Sequence, residues 1–319
     1  MFAAIILGTS SCIEEEEPEF SFIEEDCYDL PQNSSDALGW NFIYPDYLYT
    51  FCTFNPTNNR QFAVVRDKPE SNEQVIIIKD IEDSSERIIS VGVHFVASEL
   101  DWSRKDYLVF GNQMNQFVTI DLLREELVVL PIEGVFYHPH WSNTGDEIVV
   151  TQFYSYTYPV NRIVNLDLEG NLLDTFEFEY YLNNAWFSSD DDGFIFFSVP
   201  KNEFGVSYYN ISDDTKEFTA LYLQYDNVKL SPRVDELGLY ILDSEQLYYL
   251  DLLSQEYNII REQCDSKSYV ELDISADSRY LIVLRNHAKL INSSTISFES
   301  HPYILDLQTN EEKRVEFNY

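Results

Sequence analysis

The stretch that decides the fold is His140-Trp141-Ser142-Asn143-Thr144-Gly145-Asp146-Glu147-Ile148-Val149-Val150. A large aromatic residue ends one segment, a polar turn with a glycine follows, and a β-branched segment comes next. Aromatic and β-branched residues favour strands, whereas Gly, Asn and Asp favour tight turns. The stretch therefore predicts two strands joined by a turn, and weaker copies of it recur along most of the chain.

Six copies share a bulky apolar residue, then Ser or Asn, a polar turn and a short apolar strand. The copies begin at Phe54, Trp102, Trp141, Phe187, Leu230 and Ile274. Successive copies are 48, 39, 46, 43 and 44 residues apart. A repeat of this length is typical of proteins in which each repeat forms one supersecondary unit.

A second pattern follows each copy of the first: alternating apolar residues that end in Asp or Asn, then a turn and one more strand. These polar residues are Asp80, Asp121, Asp167, Asn210, Asp251 and Asp306. Each unit thus holds about four strands in roughly 40–45 residues, which is the size of a propeller blade. We predict an all-β chain in which residues 40–319 form one six-bladed β-propeller of four-stranded antiparallel blades, with the bulky residues between blades.

Two of the turns carry a resemblance to a known family. Residues 141–147 and 274–280 resemble the Trp-Ser-Pro-Asp-Gly-Lys signature of TolB-like, WD40-related propeller repeats, and Leu230-Ser231-Pro232 keeps the Ser-Pro part. This resemblance implies that a face of the ring binds a peptide or a protein.

The sequence leaves two ways to close the ring. Residues 48–54 and 314–317 could complete the first and last blades separately, or residues 40–44 could add to the last blade as a clasp. We expect the N-terminal segment to contribute, because an unclasped ring leaves strand edges exposed.

Composition limits the partners. The chain has 20 Lys and Arg against 56 Asp and Glu, a net charge of −36. A surface this negative repels nucleic acid and anionic headgroups, so we expect no nucleic-acid binding. The charge suits a solubilising surface, and it leaves cationic partners open.

The N-terminus resembles a bacterial lipoprotein signal. An apolar run over residues 1–7 leads through Gly8-Thr9-Ser10-Ser11 to Cys12. The resemblance implies that residues 1–12 are a signal peptide with its lipobox and that Cys12 is lipidated. Because Glu14, Glu15, Glu16 and Glu17 follow, the segment also resembles the surface-export signal of Bacteroidetes lipoproteins. It implies a lipid-anchored protein of the outer membrane, exposed at the cell surface.

Residues 13–39 are predicted to be an acidic flexible tether, since a run of like charges beside Pro18 does not fold compactly. The sequence has no run of eighteen apolar residues that could span a membrane. The anchor would then consist of acyl chains alone.

Three further cysteines permit one disulfide in an oxidising envelope. Cys27 and Cys264 lie in polar segments and form the better pair, whereas Cys52 lies in an apolar strand and is expected to be buried. A Cys27–Cys264 bridge is therefore a hypothesis.

Individual sites give weaker signals. His138 and His140 have a spacing that can suit a metal, but no third ligand is adjacent, so structural or surface histidines are the simpler interpretation. The acidic turn 190–193 lacks the alternating ligands of a calcium loop. The Tyr-rich segment with Tyr154, Tyr156 and Tyr158 is too long for a tight hairpin, and with the two histidines it forms the candidate binding loop.

No catalytic signature is present: the sequence has neither a Gly-x-Ser-x-Gly elbow nor a Gly-rich phosphate loop. We therefore expect a non-catalytic lipoprotein without cofactor or metal, monomeric by itself, that serves as an interaction scaffold for protein partners at the outer membrane. One alternative is a propeller that binds or hydrolyses glycans or peptides at the channel mouth. Another is a cation-dependent sensor.

Overall fold

A computed structural model describes most of the chain after residue 40. The described residues are 41–43, 45–71, 73–82, 85–132, 136–152, 161–200, 203–220, 229–232, 238–242, 246–252, 254, 256–262, 267–292 and 295–318. Cys12, Glu14, Glu15, Glu16, Glu17, Cys27 and Cys264, and with them the predicted signal, tether and disulfide, lie outside these ranges. So do Tyr154, Tyr156 and Tyr158.

The described chain forms six antiparallel sheets of four consecutive strands each, which confirms the six-bladed β-propeller. Blade 1 holds β2 (Leu48–Phe54), β3 (Gln61–Lys68), β4 (Glu73–Asp80) and β5 (Glu86–Ser90). Blade 2 holds β6 (Val96–Trp102), β7 (Tyr107–Asn112), β8 (Phe117–Asp121) and β9 (Glu126–Val129). Blade 3 holds β10 (Tyr137–Trp141), β11 (Glu147–Gln152), β12 (Asn161–Asp167) and β13 (Leu172–Phe178).

Blade 4 holds β14 (Tyr181–Phe187), β15 (Gly193–Val199), β16 (Gly205–Asn210) and β17 (Thr215–Ala220). Blade 5 holds β18 (Lys229–Pro232), β19 (Gly238–Leu242), β20 (Gln246–Asp251) and β21 (Tyr257–Glu262). Blade 6 holds β22 (Lys267–Ile274), β23 (Tyr280–Asn292), β24 (Thr295–Asp306) and β25 (Glu311–Arg314), and the short β1 (Asn41–Ile43) joins it. None of the described helical segments is long and apolar enough to cross a membrane.

The first strand of each blade is the innermost, because first strands of neighbouring blades contact each other around the ring. The six bulky residues of the repeat lie at or near the ends of these strands, on one face that we call the mouth face. Second strands therefore end, and third strands begin, on the opposite face, whereas third strands end and fourth strands begin on the mouth face.

In most copies of the repeat a serine follows the bulky residue, because its hydroxyl caps the turn. The buried Oγ of Ser142 accepts N–H bonds from Asp146 and Glu147 at 3.2 and 3.1 Å. Ser103 caps its own turn in the same way, accepting from Lys105 and Tyr107. The hydroxyl thus satisfies backbone donors that the tight turn leaves without partners.

The glycine of the signature is often missing, yet its backbone conformation persists. Gly145 has φ +71°, and Asp106, Asp191 and Ser278 take the same position of their turns with φ of 60°, 60° and 57°. A left-handed residue other than Gly costs on the order of 1 kcal/mol. The degenerate repeats therefore fold the same turn at some cost in stability.

The recurring Asp or Asn ends the third strand and caps the next turn. The Asp121 carboxylate accepts the N–H groups of Leu123 and Arg124, and Asp306 accepts those of Gln308 and Thr309. A short polar side chain that bonds the backbone two residues on is typical of such turns.

Six clusters of buried apolar side chains account for the core among the described residues, one at each junction between blades. Trp102 belongs to the cluster between blades 1 and 2, Trp141 to the next, and Phe187 to that between blades 3 and 4. The predicted placement of the bulky residues between blades is confirmed for these positions. Cys52 is buried in the cluster between blades 6 and 1, as its apolar strand predicted.

Ring closure uses the N-terminal segment and the C-terminal tail together. Strand β1 pairs in parallel with Thr295–Ser297 of β24, so the expected clasp on the last blade is confirmed. The predicted strand over residues 314–317 is wrong, since β25 ends at Arg314. Residues after it instead pack on blade 1, where the Phe317 ring stacks on Tyr49 with centroids 5.0 Å apart.

Candidate functional site

Polar residues of the innermost strands line the central channel in two layers. The upper layer lies one residue before the bulky position and contains Thr53, Asp101, His140 and Asp273, with the indole of Trp186 in the same place along β14. The lower layer lies two residues further back: Glu99, His138, Asn184 and Glu271. Members of both layers line a small cavity of about 10 Å³, which connects the two levels.

The upper aspartates tie neighbouring blades together. Asp101 accepts the N–H of Trp102 in its own blade at 2.9 Å and that of Trp141 in the next blade at 2.6 Å. Asp273 bonds Ile274 and, across the closure of the ring, the N–H of Phe54 at 2.7 Å. These carboxylates satisfy buried backbone donors and keep negative charge at the mouth of the channel.

The two histidines flagged by the sequence hold different partners. His138 has φ +54° at a bulge of β10, and its Nδ1 lies in close contact with the Glu99 carboxylate. His140 is almost completely buried, its Nε2 lies 2.8 Å from Asn184 Oδ1, and its ring stacks on Trp186 with centroids 3.5 Å apart. The left-handed backbone of a non-glycine residue is strained, and such strain concentrates at functional sites.

No group of three or more His, Cys, Asp or Glu side chains in the described chain is placed to hold a metal ion. The acidic turn of blade 4, residues 190–193, stabilises the fold through hydrogen bonds. The Asp191 carboxylate accepts the N–H groups of Asn143 and Thr144 from blade 3, and Asp190 accepts a bond from the Ser188 hydroxyl. The two carboxylates therefore face different partners.

Aromatic side chains surround the channel opening on the mouth face. A cavity of about 110 Å³ is lined by Trp102, Trp141 and Trp186, together with Phe54, Phe187 and the two upper aspartates. The indole Nε1 of each tryptophan is buried and has no hydrogen-bond partner among the described residues. Buried donors without an acceptor are costly, so this opening carries hydrogen-bonding capacity that the described fold does not use.

The far face of the ring, opposite the aromatic opening, holds the end of β11 at Gln152 and the start of β12 at Asn161. His138, at the start of β10, lies towards that far face, whereas Trp141 lies at the mouth. The two ends of β10 thus lie towards different faces, and Trp186 from the next blade completes the mouth. The remaining members of the candidate binding loop, Tyr154, Tyr156 and Tyr158, lie outside the described residues.

A second polar cleft lies at the outer corner of blade 6. It has a volume of about 440 Å³, and its lining includes Tyr47, Glu299, His301 and Arg314. His301 Nε2 lies 3.5 Å from Glu299 Oε2, and the hydrogen bond from His301 lowers the pKa of the Glu299 carboxyl. His287 stands opposite Glu299 across the strand pair.

Acid should destabilise the protein through His287. Burial, with help from nearby Arg285 and Lys267, lowers the pKa of His287 from 6.5 to about 4. Between these values the unfolded chain binds the proton and the folded chain does not, so stability is complete above pH 6.5 and falls as the pH drops towards 4. With solvent screening allowed for, we expect a loss on the order of 1 kcal/mol that His287→Gln removes.

Urea unfolding of both proteins between pH 7 and 4.5 measures this difference. Other carboxylates lose stability over the same range, so the informative quantity is the gap between the wild type and His287→Gln. His94→Gln, which also removes an imidazole, is the matched control variant. Parallel pH profiles for the wild type and His287→Gln would remove His287 as the cause.

Comparisons with known proteins identify the fold. No family model and no curated protein matches the chain. TolB from Acinetobacter baumannii superimposes with a TM-score of 0.60 at 13% identity, over 81% of this chain and 64% of that one, so this chain spans less than two thirds of that protein. A TolB-like protein of Agrobacterium tumefaciens gives 0.58 at 10% identity, over 76% and 88% of the two chains.

An oligogalacturonate lyase in complex with manganese is also similar, with a TM-score of 0.55 at 12% identity over 85% of this chain and 78% of that one. These superpositions establish the TolB-like six-bladed propeller fold. Identities this low establish no specific activity.

The sequence pointed to His138 and His140 but gave no separate weight to Glu99, Asp101, Asn184 and Asp273. What distinguishes these residues in the sequence is their position, because each lies one or three residues before a bulky repeat residue. Counting back from all six repeat positions would have found both layers.

Proposed function

We propose that this chain is an envelope lipoprotein, anchored through Cys12 and exposed at the outer membrane, whose propeller is a non-catalytic scaffold that binds a segment of a protein partner. The N-terminal signal resemblance supports the anchor, and the TolB-like fold is that of an interaction propeller. The acidic tether (residues 13–39, also called the leader below) and the net charge of −36 favour a partner with a basic contact surface.

The observation that carries the proposal is the aromatic opening of the channel. Three of the four tryptophans of the chain line it, each with a buried N–H that lacks an acceptor among the described residues. Tryptophan is enriched among the residues that dominate binding energy at protein interfaces. Backbone carbonyl groups of an inserted segment would supply the missing acceptors.

Trp186→Ala should strongly weaken partner binding. Loss of a central aromatic residue costs at least about 2 kcal/mol, so the amount of co-purified partner should fall at least about tenfold. The measurement is affinity purification from detergent-solubilised membranes, with quantitative mass spectrometry. Tyr257→Ala removes an exposed aromatic ring from the outer strand β21 and is the matched control.

Both variants must keep the wild-type melting temperature for the comparison to hold. A partner that is retained by Trp186→Ala, or lost equally from Tyr257→Ala, would contradict binding at the mouth. Cys12→Ser tests the anchor separately. It should move the protein from the membrane fraction to the soluble fraction, and a variant that stays with the membrane would contradict anchoring at Cys12.

The channel also supports a second function, the binding or hydrolysis of glycans or peptides. Its motivation is the pairing of Glu99 with His138 and of Asp101 with His140, 3.7 Å apart, since carboxylate–imidazole pairs serve in acid–base catalysis. Turnover of an oligosaccharide and peptide panel that disappears in Glu99→Gln and His138→Gln would support it. Turnover that survives both substitutions, or no turnover at all, would reject hydrolysis at these pairs, and a panel that shows no binding either would reject the second function as a whole.

A further inference from the structure

Two cations of blade 1 differ from most others in the described structure. Arg66 Cζ lies 4.6 Å from the centre of the Tyr47 ring, and Lys68 Nζ lies 5.8 Å from it. Neither side chain forms a hydrogen bond or an ion pair within the described structure, and Arg66 Nη1 is buried without a partner. Ten described cations, by contrast, pair with carboxylates: Arg60, Lys79, Arg87, Lys105, Arg124, Arg162, Arg261, Arg279, Arg285 and Arg314.

These two cations stand beside the outer cleft of blade 6. Tyr47, over which both lie, forms part of the cleft wall, and Arg314 and His301 line the same cleft. Two carboxylates also line the cleft: Glu299, which is engaged by His301, and Asp46. Arg314 pairs with Glu316, so the two cations here without an ion pair in the described structure are Arg66 and Lys68. The chain has nearly three acidic residues for each basic one, so two neighbouring cations without a carboxylate partner are a notable feature of the described surface.

The N-terminal segment enters the fold at this corner. Strand β1 lies against Thr295–Ser297 of β24, and the chain then continues through residues 45–47, which line the cleft. The segment before it, residues 13–39, carries ten carboxylates and no Lys or Arg. The acidic segment and the basic corner are therefore connected by a short length of the same chain.

We propose that the acidic residues 14–26 dock onto the corner formed by Arg66 and Lys68, beside the Arg314–Glu316 pair. Fifteen residue steps separate Asp26 from Asn41, and at about 3.3 Å each they span up to about 50 Å, which covers the corner easily. A tether of this length holds the carboxylates at an effective concentration in the millimolar range. The rest of the surface, with its large negative excess, repels the same segment.

Docking shortens the free part of the tether between Cys12 and the propeller, and it covers the run Glu14–Glu17. The ring would then be held close to its attachment point instead of moving on a free tether of 27 residues. A contact of this kind is electrostatic, so it weakens as salt shortens the Debye length.

Zero-length carbodiimide coupling in the full chain carrying Cys12→Ser tests the proposal. We expect an amide link between Lys68 and a carboxylate of residues 14–26, identified by mass spectrometry of the digested monomer. The Lys105–Asp146 ion pair within the described structure is the internal control and should couple in every variant at low salt. Mixing isotope-labelled with unlabelled chains shows whether the links are intramolecular.

Replacing Glu14 to Glu17 with glutamine, or adding about 0.5 M salt, should reduce the Lys68 link to the leader at least about threefold. The Lys105–Asp146 link should not fall with the glutamine substitutions. The proposal is overturned if Lys105 couples to Asp146 while Lys68 links to no residue of 14–26, or if the leader links are only intermolecular. It is also overturned if the chain forms no link between Lys68 and residues 14–26 and instead binds anionic phosphatidylglycerol vesicles through Arg66 and Lys68. The corner would then bind lipid headgroups and not the acidic residues.

Discussion

Replacing Glu312 with alanine is expected to lower the free energy of unfolding by about 3–5 kcal/mol. The Glu312 carboxylate, largely buried on β25, accepts bonds from Arg285 Nη1 at 2.9 Å and from the Tyr269 hydroxyl at 3.2 Å. Arg261 Nε lies 3.5 Å from it. Burial and the Glu312 charge both raise the pKa of the Tyr269 hydroxyl, which keeps its proton and donates.

The cost is large because Arg285 would remain charged inside the protein. Its guanidinium is buried and lies 3.6 Å from the centre of the Tyr303 ring, which favours a cation but does not neutralise it. Removing one partner of a buried pair leaves an uncompensated charge, and this penalty exceeds the net stabilisation from the pair itself.

Urea unfolding followed by tryptophan fluorescence measures the loss. Glu311→Ala, one residue earlier and exposed on the same strand, removes an equal charge and should change stability by less than about 0.5 kcal/mol. If the two variants unfold at the same urea concentration, then Glu312 does not compensate Arg285 in the way its geometry indicates.

The repeats could be predicted from the sequence because their determinants are local. Ser142 and Asp121 each bond backbone groups within five residues of themselves, so the same residue types recur wherever the turn recurs. The missing glycines did not hide the pattern, since Asp106 and Ser278 adopt the left-handed conformation that Gly145 adopts.

The site could not be predicted in the same way because its geometry is not local. Asp101 reaches Trp141, and His140 reaches Asn184, across 40 and 44 residues of chain. Pattern reasoning places a residue on a strand, but bulges in β6, β10 and β14 shift which side chains face the channel. The histidine pair was therefore visible in the sequence, whereas its partners were not.

Ring closure was open for a related reason. Three residues of β1 and the tail after Arg314 carry too little periodicity to specify a register or even a strand. Hydrophobic burial decides the outcome for the tail: Val315 and Phe317 fill the junction between blades 6 and 1 without forming a strand. These apolar residues hold the end of the chain in place together with two hydrogen bonds, from Val315 N to Pro302 O and from Asn318 N to Glu86 Oε1.

Phe317→Ala should therefore open the ring at this junction and lower the free energy of unfolding by about 3 kcal/mol. The ring of Phe317 is 7% exposed, stacks on Tyr49, and has Lys79 Nζ 5.6 Å from its centre. Alanine leaves a cavity between two blades that are far apart in sequence, and the tail loses its main anchor. Denaturant unfolding gives the magnitude, and hydrogen exchange of β2 and β24 should show faster opening at this junction than elsewhere.

Two further variants separate packing from chain-end effects. Phe317→Leu keeps most of the apolar volume and should cost less than about 1.5 kcal/mol. Glu316→Ala alters the adjacent exposed residue and should leave stability and exchange unchanged. If Phe317→Ala matches Glu316→Ala in both measurements, the tail does not close the ring. The junction would then depend on β1 together with the Asp273 bond to Phe54, and Asp273→Ala should open it instead.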